Sequence, residues 1–268
     1  MSTPVPWNLV APAYAEEVVP MFEAYATEAL RLAAPASGAR IVDVACGPGT
    51  LTAIAARSGH PMDAIDFAPV MIERLEARVK ALGVANVKSH LGDGQALPFP
   101  DGVFGAGFSM FGLMFFPDRA KGFAELRRVL APGARAVVSS WTPLEATPAL
   151  AAMFGSLREA MAAALGSKGP VLGDKAMPLS TEDACRAEMS ASFRDVSVHR
   201  VSHTERYESA DAFWASLERT MAPIALMKKS LGDKWPPVGD AARDAIRRTV
   251  GDGVAEITMT AWLTTGTA

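Results

Sequence analysis

Cysteine is nearly absent from this sequence: Cys46 and Cys185 are the two among 268 residues. Two thiols build neither a disulfide framework nor a four-cysteine zinc site, and they suit a reducing compartment, so a cytoplasmic location is expected. Histidine is scarce, with four copies. His60 and His90 flank predicted strands or lie in loops, His199 and His203 lie in a strand, and no metal site is expected from them. Basic clusters are missing too. Lys and Arg total 26 against 29 Asp and Glu, a net charge of −3, which argues against nucleic acid as a partner. The longest apolar run, Val103 to Phe116, is broken by glycines and closed by Pro117 and Asp118, so no membrane span is expected. Met1 to Trp7 shows no basic stretch leading into an apolar one, and no secretory signal is expected. Internal repeats and low-complexity tracts are also absent.

Half of the residues are apolar, enough to bury one substantial core. Val18, Met21, Phe22 and Tyr25 recur at helical spacing, so residues 1–37 read as a helical preface. The period then changes. Ile41 to Val44 is a β-branched run, Thr50 to Arg57 is alanine-rich and helical, and Met62 to Ile65 is a second strand. Met71, Leu75, Val79 and Leu82 share the face of a helix closed by Gly83. Val87 to Leu91 is a third strand. Val103 to Met110 is apolar without alternation, as a strand buried on both faces would be. Phe123, Leu126 and Leu130 mark a helix ended by Pro132-Gly133, and Ala134 to Trp141 is a fifth strand. Strands alternating with helices predict an α/β fold, a doubly wound, mostly parallel sheet. After Thr142 the rhythm breaks into helical stretches, Leu150 to Leu165 and Thr181 to Met189 behind an N-cap at Ser180. Val196 to Tyr207 and a period-2 run from Ile257 to Leu263 add two strands, seven in all. One domain is expected, with 38–141 as its core and helical insertions at 142–190 and 209–250.

The strongest chemical signal is Asp43-Val44-Ala45-Cys46-Gly47-Pro48-Gly49-Thr50, between the first strand and the first helix after it. Two glycines let a backbone approach a ligand closely, and the helix behind them offers free N–H groups. Asp66 ends the second strand, at the spacing where a carboxylate accepts from both hydroxyls of a ribose. A nicotinamide site carries a third glycine where this chain has Thr52. Asp43 would face a cationic amine or sulfonium well and a pyrophosphate badly.

With these residues in place, the sequence resembles the class I S-adenosylmethionine-dependent methyltransferases, in particular the branch of ubiquinone and menaquinone C-methyltransferases. The family's first motif, D-x-G-x-G-x-G, corresponds to Asp43 through Gly49, with Ala45 replacing one glycine. Its third, D-A-x-x-L-P-F, corresponds to Asp93-Gly94-Gln95-Ala96-Leu97-Pro98-Phe99. Glu125 through Gly133 matches E-x-x-R-V-L-x-P-G. The family's acid at the start of the fourth strand is Gly105 here. The resemblance implies a Rossmann-like sheet whose last strand is antiparallel and S-adenosyl-L-methionine as cofactor. It implies that Asp66 holds the ribose, that Phe67 and Met71 cover the adenine, and that Asp93 and the Gly94 N–H meet the adenine edge. Tyr14 resembles an aromatic that folds over the methionine moiety. Cys46, Gly47, Gly49, Gly92 and Ser109 complete the implied cofactor set.

A small, largely apolar or aromatic acceptor is expected, with Phe111 and Trp141 at the floor of its pocket. The two insertions, carrying Met153, Phe154, Met161, Phe213, Trp214 and Met221, are expected to form the lid. No catalytic base stands out. A non-catalytic binding protein and a nicotinamide-dependent reductase remain competing readings, and an RNA methyltransferase is a third, disfavoured by the acidic balance.

Overall fold

The computed structural model describes residues 3–165 and 177–268. Helices α1 (Val5–Ala13) and α2 (Val19–Ala33) open the chain, joined by a π-helical turn over Tyr14–Val18. Pro12 and Pro20 flank that turn and have no N–H to give to a regular ladder, which favours the wider winding. Then come β1 (Ile41–Val44), α3 (Thr50–Arg57), β2 (Met62–Asp66), α4 (Pro69–Ala81), β3 (Val87–Leu91) and β4 (Phe104–Ser109). These lead to α5 (Arg119–Val129) and β5 (Leu130–Trp141). The second half runs α6 (Pro148–Leu165), α7 (Glu182–Ser190), β6 (Arg194–Tyr207), α8 (Ala210–Thr220), α9 (Ala222–Leu231), α10 (Trp235–Val250) and β7 (Ala255–Thr267).

The strands form one seven-stranded sheet in the order β3-β2-β1-β4-β5-β7-β6. β7 lies antiparallel between β5 and β6, and the pairings among β1 to β5 are parallel. The expected α/β architecture with an antiparallel last strand is therefore present. The order reverses beside β1, so the loops after β1 and β4 diverge and leave a crevice at the carboxyl ends of the strands.

Three differences from the sequence reading have local causes. Leu130 belongs to β5, pairing with Phe104 across a register shift, so the strand starts before Pro132-Gly133. Leu82 is 40 % exposed, because α4 has ended and its apolar face stops at Val79. The N-cap of α7 is Thr181, whose hydroxyl accepts from the Ala184 N–H at 3.2 Å, while Ser180 is buried ahead of it.

The apolar core has several parts. One face of the sheet buries Val42, Phe104, Phe123, Leu126 and Val138. The other buries Tyr25, Ile41, Leu51, Phe108 and Val137, and the Tyr25 hydroxyl donates to Met259 O at 2.7 Å, pinning α2 to the sheet. A separate cluster holds Met153, Phe213, Trp214, Trp235 and Ile246.

Candidate active site

The loop after β1 turns three times through left-handed backbone, at Ala45 (φ 56°), Gly47 (φ 53°) and Gly49 (φ 83°). Glycine adopts this conformation freely, whereas for alanine it costs about 1–2 kcal/mol. Ala45 thus keeps the backbone shape of the glycine it replaces and carries a strain. Gly49 has a second constraint: a Cβ there would run into the Leu75 side chain. The loop is tied to β2, since the Gly47 N–H donates to Asp66 Oδ2 at 2.9 Å and the Cys46 N–H to Ile65 O at 3.1 Å.

Asp66, 7 % exposed, also accepts from the Ala68 N–H at 2.9 Å through Oδ1. Burial raises its carboxyl above the usual range, against the pull of those N–H groups. The carboxylate still has acceptor capacity for a ligand. Asp43 is 1 % exposed; Oδ2 accepts from the Thr52 hydroxyl at 2.7 Å, and Oδ1 has no partner among the described residues. Thr52, at the third-glycine position of a nicotinamide motif, is therefore the support of this acid. Burial pushes Asp43 up to about 7. An orphaned carboxylate oxygen in a low-dielectric wall is satisfied by a cation. Burial, with Asp66 and Asp43 nearby, holds the Cys46 thiol well above its ordinary value, so it is not a thiolate nucleophile. Tyr14 Oη has no hydrogen-bond partner among the described residues, and burial and the Asp66 charge push its phenol up.

These groups surround a cleft enclosing about 1230 Å³ of empty space, counting its open mouth. Of the expected cofactor residues, Tyr14, Asp43, Cys46, Gly47, Asp66, Phe67, Met71, Gly92, Asp93 and Gly94 all line it. Gly94 is required by space, because a Cβ would press on Phe116 and Val44. Asp93 is exposed and also shapes its own turn, accepting from the Gln95 N–H at 2.9 Å. The next turn is strapped down by the Glu125–Arg128 pair. Glu125 accepts from the Leu97 N–H at 2.7 Å, and Arg128 donates to Leu97 O, Phe99 O and Asp101. Gly105, where the resembling family has an acid, faces Ala39 so closely that a Cβ would clash.

Two expected cofactor residues and one expected acceptor residue are not on the wall. Gly49 shapes the turn behind it. Ser109 is fully buried, its hydroxyl accepting from the Leu113 N–H at 3.1 Å. Trp141 sits behind Phe111, stacked on it with centroids 4.1 Å apart. Phe111 does line the cleft, together with Trp7, Phe22, Met110, Phe115 and Phe116. Trp7 meets Phe115 edge-on at 5.3 Å.

The residues expected to form the lid lie elsewhere among the described residues, for the same reason in both insertions. Met153, Phe154, Met161, Phe213, Trp214 and Met221 pack on one another in their own core, and among the described residues none of 142–165 or 177–250 lines the cleft. The part of the first insertion at 166–176 lies outside the described residues. The insertions instead buttress the preface: Ala222 and Ala225 pack with Val10 and Ala11, and Arg219 pairs with Glu17 at 2.7 Å. Trp7 and Phe22 were missed because the preface reads as an ordinary amphipathic helix; the π-turn that aims it has only the Pro12 and Pro20 pair as a signal.

Comparison with known proteins agrees with this geometry. Residues 41–133 match the family model for a methyltransferase domain. A demethylmenaquinone methyltransferase from Thermus thermophilus is 38 % identical over 117 residues, 43 % of this chain and 53 % of that protein. An uncharacterized protein from Mycobacterium tuberculosis is 37 % identical over 105 residues, 39 % of this chain and 38 % of that one. The matched stretch thus spans about half or less of these relatives. The backbone resembles the YcgJ protein from Bacillus subtilis with a TM-score of 0.59 at 18 % identity, over 90 % of this chain and 97 % of that one, which shows the fold. Residues 41–133 thus resemble a methyltransferase domain, and the sheet order and the motif residues gathered at the crevice agree with that likeness.

Proposed function

We propose that this protein transfers a methyl group from S-adenosylmethionine to a small, largely apolar or aromatic acceptor. The observation that carries this reading is the mixed lining of one cleft. Its charged members are the carboxylates Asp43, Asp66 and Asp93, its helical and loop side is ringed by Trp7, Phe22, Phe111, Phe115 and Phe116, and no lysine, arginine or histidine is among the described lining residues. The residues fit the cofactor: Asp43 Oδ1 lacks a counter-charge, and the glycine-lined turns admit a nucleoside close to the backbone. Asp43 would receive the cationic end, Asp66 the ribose hydroxyls, and Asp93 with the Gly94 N–H the adenine edge between Phe67 and Met71. Tyr14 would cover the methionine portion.

When bound, S-adenosylmethionine supplies an electrophilic methyl group on a sulfonium. The chain's own residues orient and exclude water. Holding an acceptor at near-attack distance contributes on the order of 7–11 kcal/mol, and the apolar rings keep the site dry, which strengthens the electrostatics of the carboxylates. With no cation on the wall among the described residues, the site favours neutral acceptors over carboxylates and phosphates. The name of the Thermus relative points to a small-molecule acceptor as well.

The test is turnover. Purified full-length protein is mixed with S-adenosylmethionine and menadiol, 1-naphthol, catechol or an aliphatic amine, and S-adenosylhomocysteine is scored. Product with a ring acceptor is expected. Cofactor binding without turnover across the panel supports the non-catalytic alternative and overturns the reading.

A further inference from the structure

The segment after β4 contributes Met110, Phe111, Gly112, Phe115, Phe116 and Pro117 to the cleft, a quarter of its lining residues. Phe111 is the residue in it whose backbone is left-handed without being glycine, at φ 57°. Such a conformation persists only where the surroundings over-determine it, and it concentrates at functional sites. Here the surroundings are specific. The Phe111 N–H donates to Ser139 Oγ at 2.8 Å, and Ser139 is fully buried on β5. Its ring stacks on Trp141 at 4.1 Å and touches Phe22 at 4.6 Å. Ser139 and Trp141 are two apart on one strand and share a face. One strand face therefore supplies both the anchor for the Phe111 amide and the support for its ring.

We propose that Ser139 is a positioning residue for the methyl acceptor: by accepting the Phe111 N–H it keeps the Phe111 ring presented to the cleft, and so sets selectivity for flat apolar rings. The proposal rests on the methyltransferase reading for the identity of the acceptor, but the anchor itself does not. Ser109 serves as an internal control. Its hydroxyl holds the Leu113 N–H in the same segment, whereas the Phe111 N–H goes to Ser139.

Three quantities are measured on the full chain: S-adenosylmethionine affinity by calorimetry, 1-naphthol affinity by equilibrium dialysis, and the near-ultraviolet dichroism of Trp141. The Trp141 signal is taken as the difference between each variant and the same variant carrying Trp141→Phe. In Ser139→Ala, 1-naphthol is expected to bind at least tenfold more weakly, cofactor affinity to stay within twofold, and the Trp141 band to collapse. Ser139→Cys, with a weaker acceptor, falls between, and Ser109→Ala keeps the band. Should Ser139→Ala fail to fold, Phe111→Gly decides, because glycine takes the left-handed backbone freely and removes only the ring; it is expected to lose 1-naphthol binding. An unchanged Trp141 band in folded Ser139→Ala, unchanged naphthol affinity in Phe111→Gly, or no naphthol binding by the wild-type chain overturns the proposal. A wild-type chain that binds no S-adenosylmethionine overturns the methyltransferase reading instead, and the Trp141 band still decides the anchor.

Discussion

Asp43 concentrates the chemistry of the site in one atom. Its Oδ1 is buried and unpartnered, and burial pushes the group up to about 7 from an ordinary 3.8. Between about pH 4 and pH 7 the unfolded chain has released this proton and the folded chain has kept it, so stability falls as pH rises through that window. A cationic ligand reverses the preference by favouring the ionised form. Stabilisation by S-adenosylmethionine is therefore expected to be larger at pH 8 than at pH 5, measured as the rise in Tm on adding saturating cofactor. Asp43→Asn should flatten that difference while weakening binding overall. If the asparagine variant keeps the full pH dependence, the proton belongs to another group, Asp66 being the next buried acid on the wall. Ala45 makes a complementary point about single residues. Its side chain costs the turn some strain, yet the left-handed path of the backbone survives the loss of the glycine.

Among the elements, α5 does more than cover the sheet. Arg128 joins Glu125 at 2.7 Å and reaches the carbonyls of Leu97 and Phe99 and the Asp101 carboxylate. A planar guanidinium can make these bonds together and an ammonium cannot. Arg128→Lys is expected to cost about 2–3 kcal/mol of stability, counting hydrogen bonds to charged groups at about 1.5–3 kcal/mol and discounting for partial exposure. Urea denaturation reads that cost, and calorimetry should show weaker cofactor binding because the turn carrying Asp93 and Gly94 loosens. The strand-helix units were legible from the sequence because their periods are strong: Thr50 to Arg57 and Asp66 fall where the spacing put them. Ten of the twelve residues expected at the cofactor line the cleft, because a turn that admits a nucleoside needs particular residue types. Ser109 and Trp141 were misplaced by one layer, since the end of a strand marks proximity to a crevice but not which side chain is turned into it. Beyond those residues, the aromatic wall of the cleft was legible only at Phe111, because a Met and aromatic stripe has the same spacing whether it meets a ligand or another helix.

At the level of the whole molecule, two apolar bodies share one sheet. The cleft is capped by α1 and α2, and α6, α8 and α10 bury a core of their own around Trp214 and Trp235, which stack at 6.2 Å. Trp214→Ala is accordingly expected to cost about 3–5 kcal/mol, the range for emptying a large buried ring. S-adenosylmethionine affinity at 20 °C should stay within twofold; a tenfold loss in a folded variant would show that the second body reaches the cofactor. The sheet order has a kinetic consequence as well. β6 is made before β7, yet β7 is the strand it pairs with, and β7 must slide between β5 and β6 in antiparallel register. Until that happens β5 presents an open edge, and the 14-residue β6 has no neighbour in the sheet. An unpaired edge is a template for another chain, and late, non-local pairing is slow. During synthesis the first five strands can assemble on the ribosome in the order they emerge, while the nascent chain waits with two unpaired strand edges for its last insertion, the interval in which a chaperone has most to protect.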